Sequence, residues 1–179
     1  MKQSVRTAIA SLYRTGEGVG SLDGKPFRLP GALPGEEVEA ERLGGGQAQS
    51  YGRILRIIHA HKERVVPPCP VAATCGGCVL QHWSLEGQRR WKKESLQRLV
   101  HNSDIPVVIE PIRPVGDGWK FRNKGLWMVE PTESGAHLGL YRPRSHELQP
   151  LSECRVQDVL TERILGGLHR VLAECKFAP

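Results

Sequence analysis

"PPCPVAATCGGCVLQHW", residues 67–83, holds three of the five cysteines in the chain. Cys69, Cys75 and Cys78 follow C-x5-C-x2-C spacing, with Gly76 and Gly77 filling the tighter interval. Paired glycines let the backbone curl closely around whatever the sulfurs hold and leave amide donors free to face them. Cys154, in "LSECRV", sits at an expected strand-to-helix junction and is the natural fourth donor. Cys175 lies on the apolar stripe of the last expected helix and reads as a core thiol. Three outcomes stay open on the residues alone. They are a [4Fe–4S] cluster on four thiolates, zinc on four thiolates or with His82 replacing one, and free thiols. Zinc knuckles usually come as two C-x2-C pairs, and only one is present. The wide first interval suits a cluster corner, so the spacing favours the cluster.

On the amino-terminal side, residues 4–60 read as all-β. "SVRTAIASLY", "EVEAERL" and "YGRILRIIHA" are strand candidates, separated by segments dense in turn residues. Four or five short strands in this length suit a small barrel. "GEGVG", residues 16–20, has the composition of a phosphate-cradling loop, but "SLDGKPFRLPG" follows it and cannot open a helix. It reads as a strand connection. "KERVVPP" marks the expected domain boundary.

On the other side, "SLEGQRRWKKESLQRLVHNS" predicts a helix capped by Ser84. Its partly apolar face carries Leu85, Lys92, Leu96, Leu99 and Val100. "IPVVIEPI", "WKFRNKGLWMVE", "HLGLYR" and "HELQPL" are strand candidates. Val156 to Cys175 predicts an amphipathic helix, with Val159, Leu160, Ile164, Leu168, Val171 and Leu172 on one face. The second half is therefore expected to be α+β.

The chain has 179 residues and a net charge of +6. Residues 61–124 carry 11 basic against 6 acidic side chains, a plausible polyanion surface. Lys120, Arg122 and Lys124 alternate, so on a strand they would share one face suited to phosphate. Lys62 and Arg64 lie between the expected barrel and the cysteines. Tyr13, Phe27 and Tyr51 could stack on bases, although barrel core or rim is the more usual place for such residues. Arg6 interrupts what would be the apolar core of a signal peptide, and no stretch has the ~18 apolar residues of a membrane span. The odd cysteine count argues against a secreted disulfide framework. A cytoplasmic protein is expected.

These segments carry a resemblance. "GEGVGSLDGKPFRLPGALPGEEVEA" resembles a TRAM domain, a small OB-like RNA-binding barrel. "CPVAATCGGCVLQHWSLEGQRRWKKESL" is similar to the cluster motif of the RNA uracil-C5 methyltransferases. "FRNKGLWMV" and "LGLYRPRSHELQPLSECRV" resemble their central domain. The order of parts is that of the branch acting on 23S rRNA. The resemblance implies a mainly β plus α+β chain. A TRAM-like barrel would take residues 1–62, and an α+β central domain with an iron–sulfur site would take residues 63–179. It implies a [4Fe–4S] cluster on Cys69, Cys75, Cys78 and Cys154. It also implies RNA contacts at Lys62, Arg64, Lys120, Arg122 and Lys124, Arg122 being the strongest candidate from its place in the "FRNK"-like segment. The family's Rossmann-like methyltransferase domain, which binds S-adenosylmethionine and supplies the catalytic cysteine and glutamate, is expected to be missing from this chain. No catalytic residue is carried over. A soluble monomer with 23S rRNA as its partner is expected. The alternative is a standalone RNA-binding module with an iron–sulfur or zinc site and no enzymatic activity.

Overall fold

A computed structural model of the chain describes residues 4–101, 103, 106–114, 116–132 and 135–174. The chain forms two compact units. One takes Met1–Pro67 and Val79–Trp91, and the other takes Pro68–Cys78 and Lys92–Pro179. A single boundary near residue 63 is therefore replaced by an exchange, in which the cysteine loop belongs to the second unit and the chain then returns to the first.

In the first unit, β1 (Ser4–Ala8), β2 (Ser11–Leu12), β3 (Gly18–Leu22), β4 (Lys25–Leu29), β5 (Glu37–Gly45) and β6 (Ser50–His59) form one sheet. Its order is β1-β5-β6-β4-β3-β2. The two edge strands come from one run of chain, so the sheet curls back on itself. Thr7 ties the curl: its Oγ1 accepts from Ser21 N at 3.0 Å and donates to Ser21 O at 3.1 Å. Register shifts in the β5–β6 pair add twist, as bulges do. Ile9, Phe27, Leu29, Ala32, Val38 and Ala40 fill the inside. Phe27 is fully buried there, so it is core and cannot stack on a base. "GEGVG" runs into β3 and opens no helix, as the residues after it require.

Glu36 is the unexpected residue of this unit. Its side chain is fully buried. Its carboxylate accepts from Leu33 N at 2.8 Å, His61 N at 3.0 Å, Arg64 Nε at 2.5 Å and Arg64 Nη2 at 2.6 Å. Arg64 Nη2 also donates to Gly31 O at 2.6 Å. A buried charge is tolerable only when paired and hydrogen-bonded, and every element of that requirement is met here. The pair pins the start of β5 to the chain leaving β6. Beyond it, Val65 N donates to His82 O and Ser84 N to Glu63 O, at 2.9 and 3.0 Å. Ser84 then caps α1 (Leu85–His101), its Oγ accepting from Gly87 N at 3.1 Å, as the sequence predicts. The expected apolar face of α1 is largely exposed: Leu96 is 46% and Leu99 67% accessible.

In the second unit, β7 (Met128–Thr132), β8 (Gly135–Tyr141) and β9 (Leu148–Pro150) form an antiparallel sheet with β8 central. Helix α2 (Val159–Glu174) packs on β8 through Leu165 and Leu172. The sequence places the helix correctly but misreads its buried face. Val159, Leu160, Ile164, Leu168 and Val171 are exposed, because β8 offers only enough surface to cover the Leu165–Leu172 side. Cys175 lies outside the described residues. Two strand expectations also fail. Residues 106–114 form no strand, and 119–127 hold only an isolated bridge between Arg122 and Gln157. β-Branched content there is not matched by a neighbouring strand with free edge groups, and propensity without a partner makes no ladder.

Two consequences are testable by unfolding the protein. Arg64→Ala leaves a buried carboxylate without its cation and should cost about 3–5 kcal/mol, whereas Arg56→Ala, on an exposed pair with Glu39, should cost less than about 1 kcal/mol. The pH profile follows from two groups. Burial, with Arg64 adding to it, pushes His82 down to about 4 from 6.5. The unfolded chain therefore binds the extra proton first, and stability should fall as pH drops from about 6.5 toward 4. Burial pushes Glu36 up, but Arg64 and the His61 and Leu33 amides outweigh it and leave it below its ordinary 4.5. Its stabilisation is complete above that value and is lost as pH falls through the lower folded value. A profile flat from pH 7 to 4 would contradict the His82 assignment, and one flat below 4.5 would contradict that of Glu36.

Candidate functional site

Cys69, Cys75, Cys78 and Cys154 all belong to the second unit. All four are half-buried free thiols. Turns position the first three. Ala72 N donates to Cys69 O at 3.2 Å, and Cys75 N to Val71 O at 2.8 Å. The Cys75–Cys78 turn is then seated on the end of β8, where Gly76 N donates to Tyr141 O at 3.1 Å. A Cβ on Gly76 would stand 2.5 Å from that same oxygen, and one on Gly77 would stand 2.8 Å from Leu140 Cδ1. Only glycine allows this approach. Leu151 N donates to Leu138 O of β8 at 2.9 Å, and three residues on Cys154 N donates to Glu162 Oε1 of α2 at 2.9 Å. Cys154, 76 positions beyond Cys78, thus falls in the same unit as the cysteine turn.

Electrostatics report the gathering. Burial pushes the Cys75 thiol above its ordinary value; the Gly77 amide eases it, and Cys78, Cys154 and Cys69 push it up further. Burial likewise raises Cys154, the Val156 and Gln157 amides ease it, and Cys78 raises it. Gly77 N donates to Cys75 Sγ at 3.4 Å. The donor set is therefore four thiols in one unit, two of which, Cys75 and Cys154, are raised by burial and by neighbouring thiols and have backbone amides turned toward them. That chemistry fits a thiolate-bound cationic centre, which would take up the negative charge. Among the described residues, however, no group of three or more His, Cys, Asp or Glu side chains is placed to hold a metal ion. His82, the alternative ligand, is buried in the first unit, where it senses Arg64 and Glu36.

The basic residues fall into two groups. Lys62 is exposed at a turn whose two sides are fixed by the His61 and Arg64 bonds to Glu36. Arg64 itself is directed inward to Glu36 and Gly31, so its evident work is to shape that turn. Lys120, Arg122 and Lys124 lie in the second unit, on irregular chain instead of the expected strand. The strand-face argument for them is therefore replaced by a clamp. Arg122 N donates to Val156 O at 2.8 Å, and Arg122 O accepts from Asp158 N at 3.0 Å. Lys120 has φ of 51° and donates its N–H to Arg155 O at 3.1 Å. Lys120 and Lys124 are exposed, and Arg122 is half-buried. In the first unit, the Tyr13 ring lies under the Arg28 guanidinium at 4.0 Å.

Sequence reasoning missed Glu36. A signal was present: Glu36, Val38 and Ala40 alternate with Glu37 and Glu39, which is the inward period of a strand. A charged residue at the first inward position masked it.

The thiol arrangement depends on the glycine turn. Gly76→Ala should displace the turn from Tyr141, cost roughly 1–3 kcal/mol and make the Cys75 and Cys78 thiols react faster with a disulfide reagent. Gly46→Ala, at a site with nothing within 4 Å, should leave the rates unchanged. Equal reactivity in the two variants would mean that β8 does not hold the turn.

No family model matches the chain. It is 34% identical over 172 residues to an uncharacterized RNA methyltransferase of Halalkalibacterium halodurans, covering 95% of this chain and 38% of the relative. It is 32% identical over 174 residues to the 23S rRNA (uracil(1939)-C(5))-methyltransferase RlmD of Yersinia enterocolitica, covering 96% of this chain and 39% of that protein. The tRNA (uracil-54, C5)-methyltransferase of Pyrococcus abyssi, solved with S-adenosyl-L-homocysteine, shares the fold at a TM-score of 0.61 and 20% identity. That match covers 92% of this chain and 36% of the archaeal one. The chain spans under two-fifths of the length of these relatives. Over nearly its whole length, the chain is a homologue of the amino-terminal part of the RNA methyltransferases, with uracil-C5 enzymes among its relatives.

Proposed function

We propose that the chain is the RNA-recognising and cluster-bearing portion of an S-adenosylmethionine-dependent 23S rRNA (uracil-C5) methyltransferase. The observation that supports the reading is that Cys69, Cys75, Cys78 and Cys154 fall within one unit, with the Cys75–Cys78 turn bonded to the end of β8. A single tetrahedral zinc needs four sulfurs within about 4 Å of one another, since each Zn–S bond is about 2.3 Å. The wide C-x5-C interval and a fourth thiol from a distant segment suit instead a larger centre, a [4Fe–4S] cluster bound by all four. When bound, such a cluster supplies a rigid crosslink between the loop and the chain after β9. The curled sheet of the first unit is read as a TRAM-like barrel. Lys62 of the first unit, and Lys120, Arg122 and Lys124 of the second, are the chain's phosphate contacts, with Arg64 holding the turn that presents Lys62. The RNA relatives named above support 23S rRNA as the partner. S-adenosylmethionine would be bound by a full-length enzyme, acting as a monomer in the cytoplasm. Among the described residues, no helix is long and apolar enough to cross a membrane.

The test is salt-dependent RNA binding. Each phosphate contact contributes roughly 0.7–0.9 to the slope of log affinity against log salt, so three to five contacts give a slope of about −2 to −4. Lys124→Ala should reduce its magnitude by about 1. Affinity for structured ribosomal RNA that does not change with salt would overturn the assignment of these cations.

A further inference from the structure

Helix α2 carries a second apolar stripe beside the one that β8 covers. Leu160, Ile164, Leu168 and Val171 recur every three or four residues, so they line one side of the helix over about 16 Å. All four are exposed, whereas Leu165 and Leu172, one step further round the helix, are buried. At about 3.6 residues per turn, no charged side chain of α2 falls within the arc that the stripe occupies. We propose that this stripe is the docking face for the further domain that the relatives carry after the segment homologous to this chain. The inference rests on the functional reading above and adds to it the joint that would hold the two parts together.

Exposure is the first support. A soluble protein seldom leaves a continuous apolar surface of this kind to water, and where it does the surface is an interaction site. Two glycines are the second. Gly166 and Gly167 stand in the middle of α2, where glycine destabilises a helix relative to alanine. Among the described residues, nothing crowds them. A Cβ on Gly166 would meet nothing within 4 Å, and one on Gly167 would meet only the end of the Arg170 side chain, at 4.0 Å. Gly167 borders the stripe on the helix surface. A side chain missing where there is room for one lets a group from outside the chain come close to the helix backbone.

The relatives indicate which group. More than three-fifths of the Halalkalibacterium halodurans and Yersinia enterocolitica proteins lies outside the match, which takes their amino-terminal part. Helix α2 is the last element among the described residues, so in those proteins the chain leads on from the segment that holds it. The chemistry of the stripe agrees. RNA phosphates call for cations, and the stripe has none. A second domain of a soluble enzyme can meet it with an apolar face of its own, and both surfaces then leave water.

The experiment is carbene footprinting of two proteins, the whole chain alone and the whole chain fused to the part of Yersinia enterocolitica RlmD that lies outside the match. Labelling of Ile164 should fall about tenfold on fusion, as its exposure goes from 61% toward the 6% of Leu165. Val66, exposed in the first unit, should label equally in both. Ile164→Glu and Gly167→Gln should each restore the labelling of Leu160 and Leu168 in the fusion. Gly167→Gln should also raise the melting temperature of the chain alone, where the new side chain meets open space. A fusion to the corresponding part of the Halalkalibacterium halodurans relative is run in parallel, and a stripe labelled equally in the free chain and in a folded fusion of either kind would overturn the docking face. A free chain that is a dimer by light scattering, and a monomer as Ile164→Glu, would make the occupant a second copy and overturn it too. Methyl transfer to ribosomal RNA by a fusion whose stripe stays labelled would overturn the docking and keep the functional reading. A protected stripe in a fusion that transfers none would support the docking and count against that reading.

Discussion

The hydrogen bond from Gly76 to the Tyr141 carbonyl fixes the cysteine turn to β8, and the organisation of the second unit follows from it. The turn has no room for a side chain at either glycine, so its approach to the strand is set by backbone geometry. The same strand holds Leu151, and three residues later Glu162 of α2 holds the Cys154 amide. A short sheet of three strands with one covering helix is a small structure to keep four thiols in register. Its other exposed apolar residues, among them Phe121 and Leu126, show how little of the unit is a sealed core. A centre bound by Cys78 and Cys154 would close a loop of 76 positions. As a covalent crosslink, such a closure stabilises by about 4 kcal/mol in the chain-entropy estimate. That gain is comparable with the whole margin by which many small domains stay folded. Thiol protonation argues in the same direction. Burial and the neighbouring thiols disfavour the thiolate at Cys75 and Cys154, and a cationic centre would offset both penalties.

The first unit solves a different problem. Its core of Phe27, Leu29, Val38 and Ala40 would fold without help from a buried charge. Glu36 is there to make a joint. It collects two backbone amides and both sides of one guanidinium, and so fixes where the chain leaves β6 and where Lys62 is displayed. Arg64, which its charge suggests as an RNA contact, acts through Lys62 and the turn. His82 lies beside this pair, neutral because burial disfavours its cation, and the pH sensitivity of the unit is concentrated there.

Much of this was legible in the residues. Strands β5 and β6 follow the alternation of their apolar residues, and Ser84 caps α1 as its type and position predict. The strand-to-helix junction at Cys154 makes it the natural fourth donor, and it falls in the same unit as the other three. Burial was harder to read. The stripe from Val159 to Val171 marks α2 as a helix, but periodicity says only which residues share a face, and the neighbour decides which face is covered. Residues 119–127 have strand composition without a strand to pair with, so Lys120 is set by a bond to Arg155, and Arg122 by bonds to Val156 and Asp158, instead of by a ladder.

Iron and acid-labile sulfide per chain, measured on protein prepared without oxygen, test the central claim most directly. The account predicts about four of each per chain, with both lost in Cys154→Ala and both kept in Cys175→Ala. Stoichiometric zinc without iron, or thiols that stay free of any metal under those conditions, would contradict it.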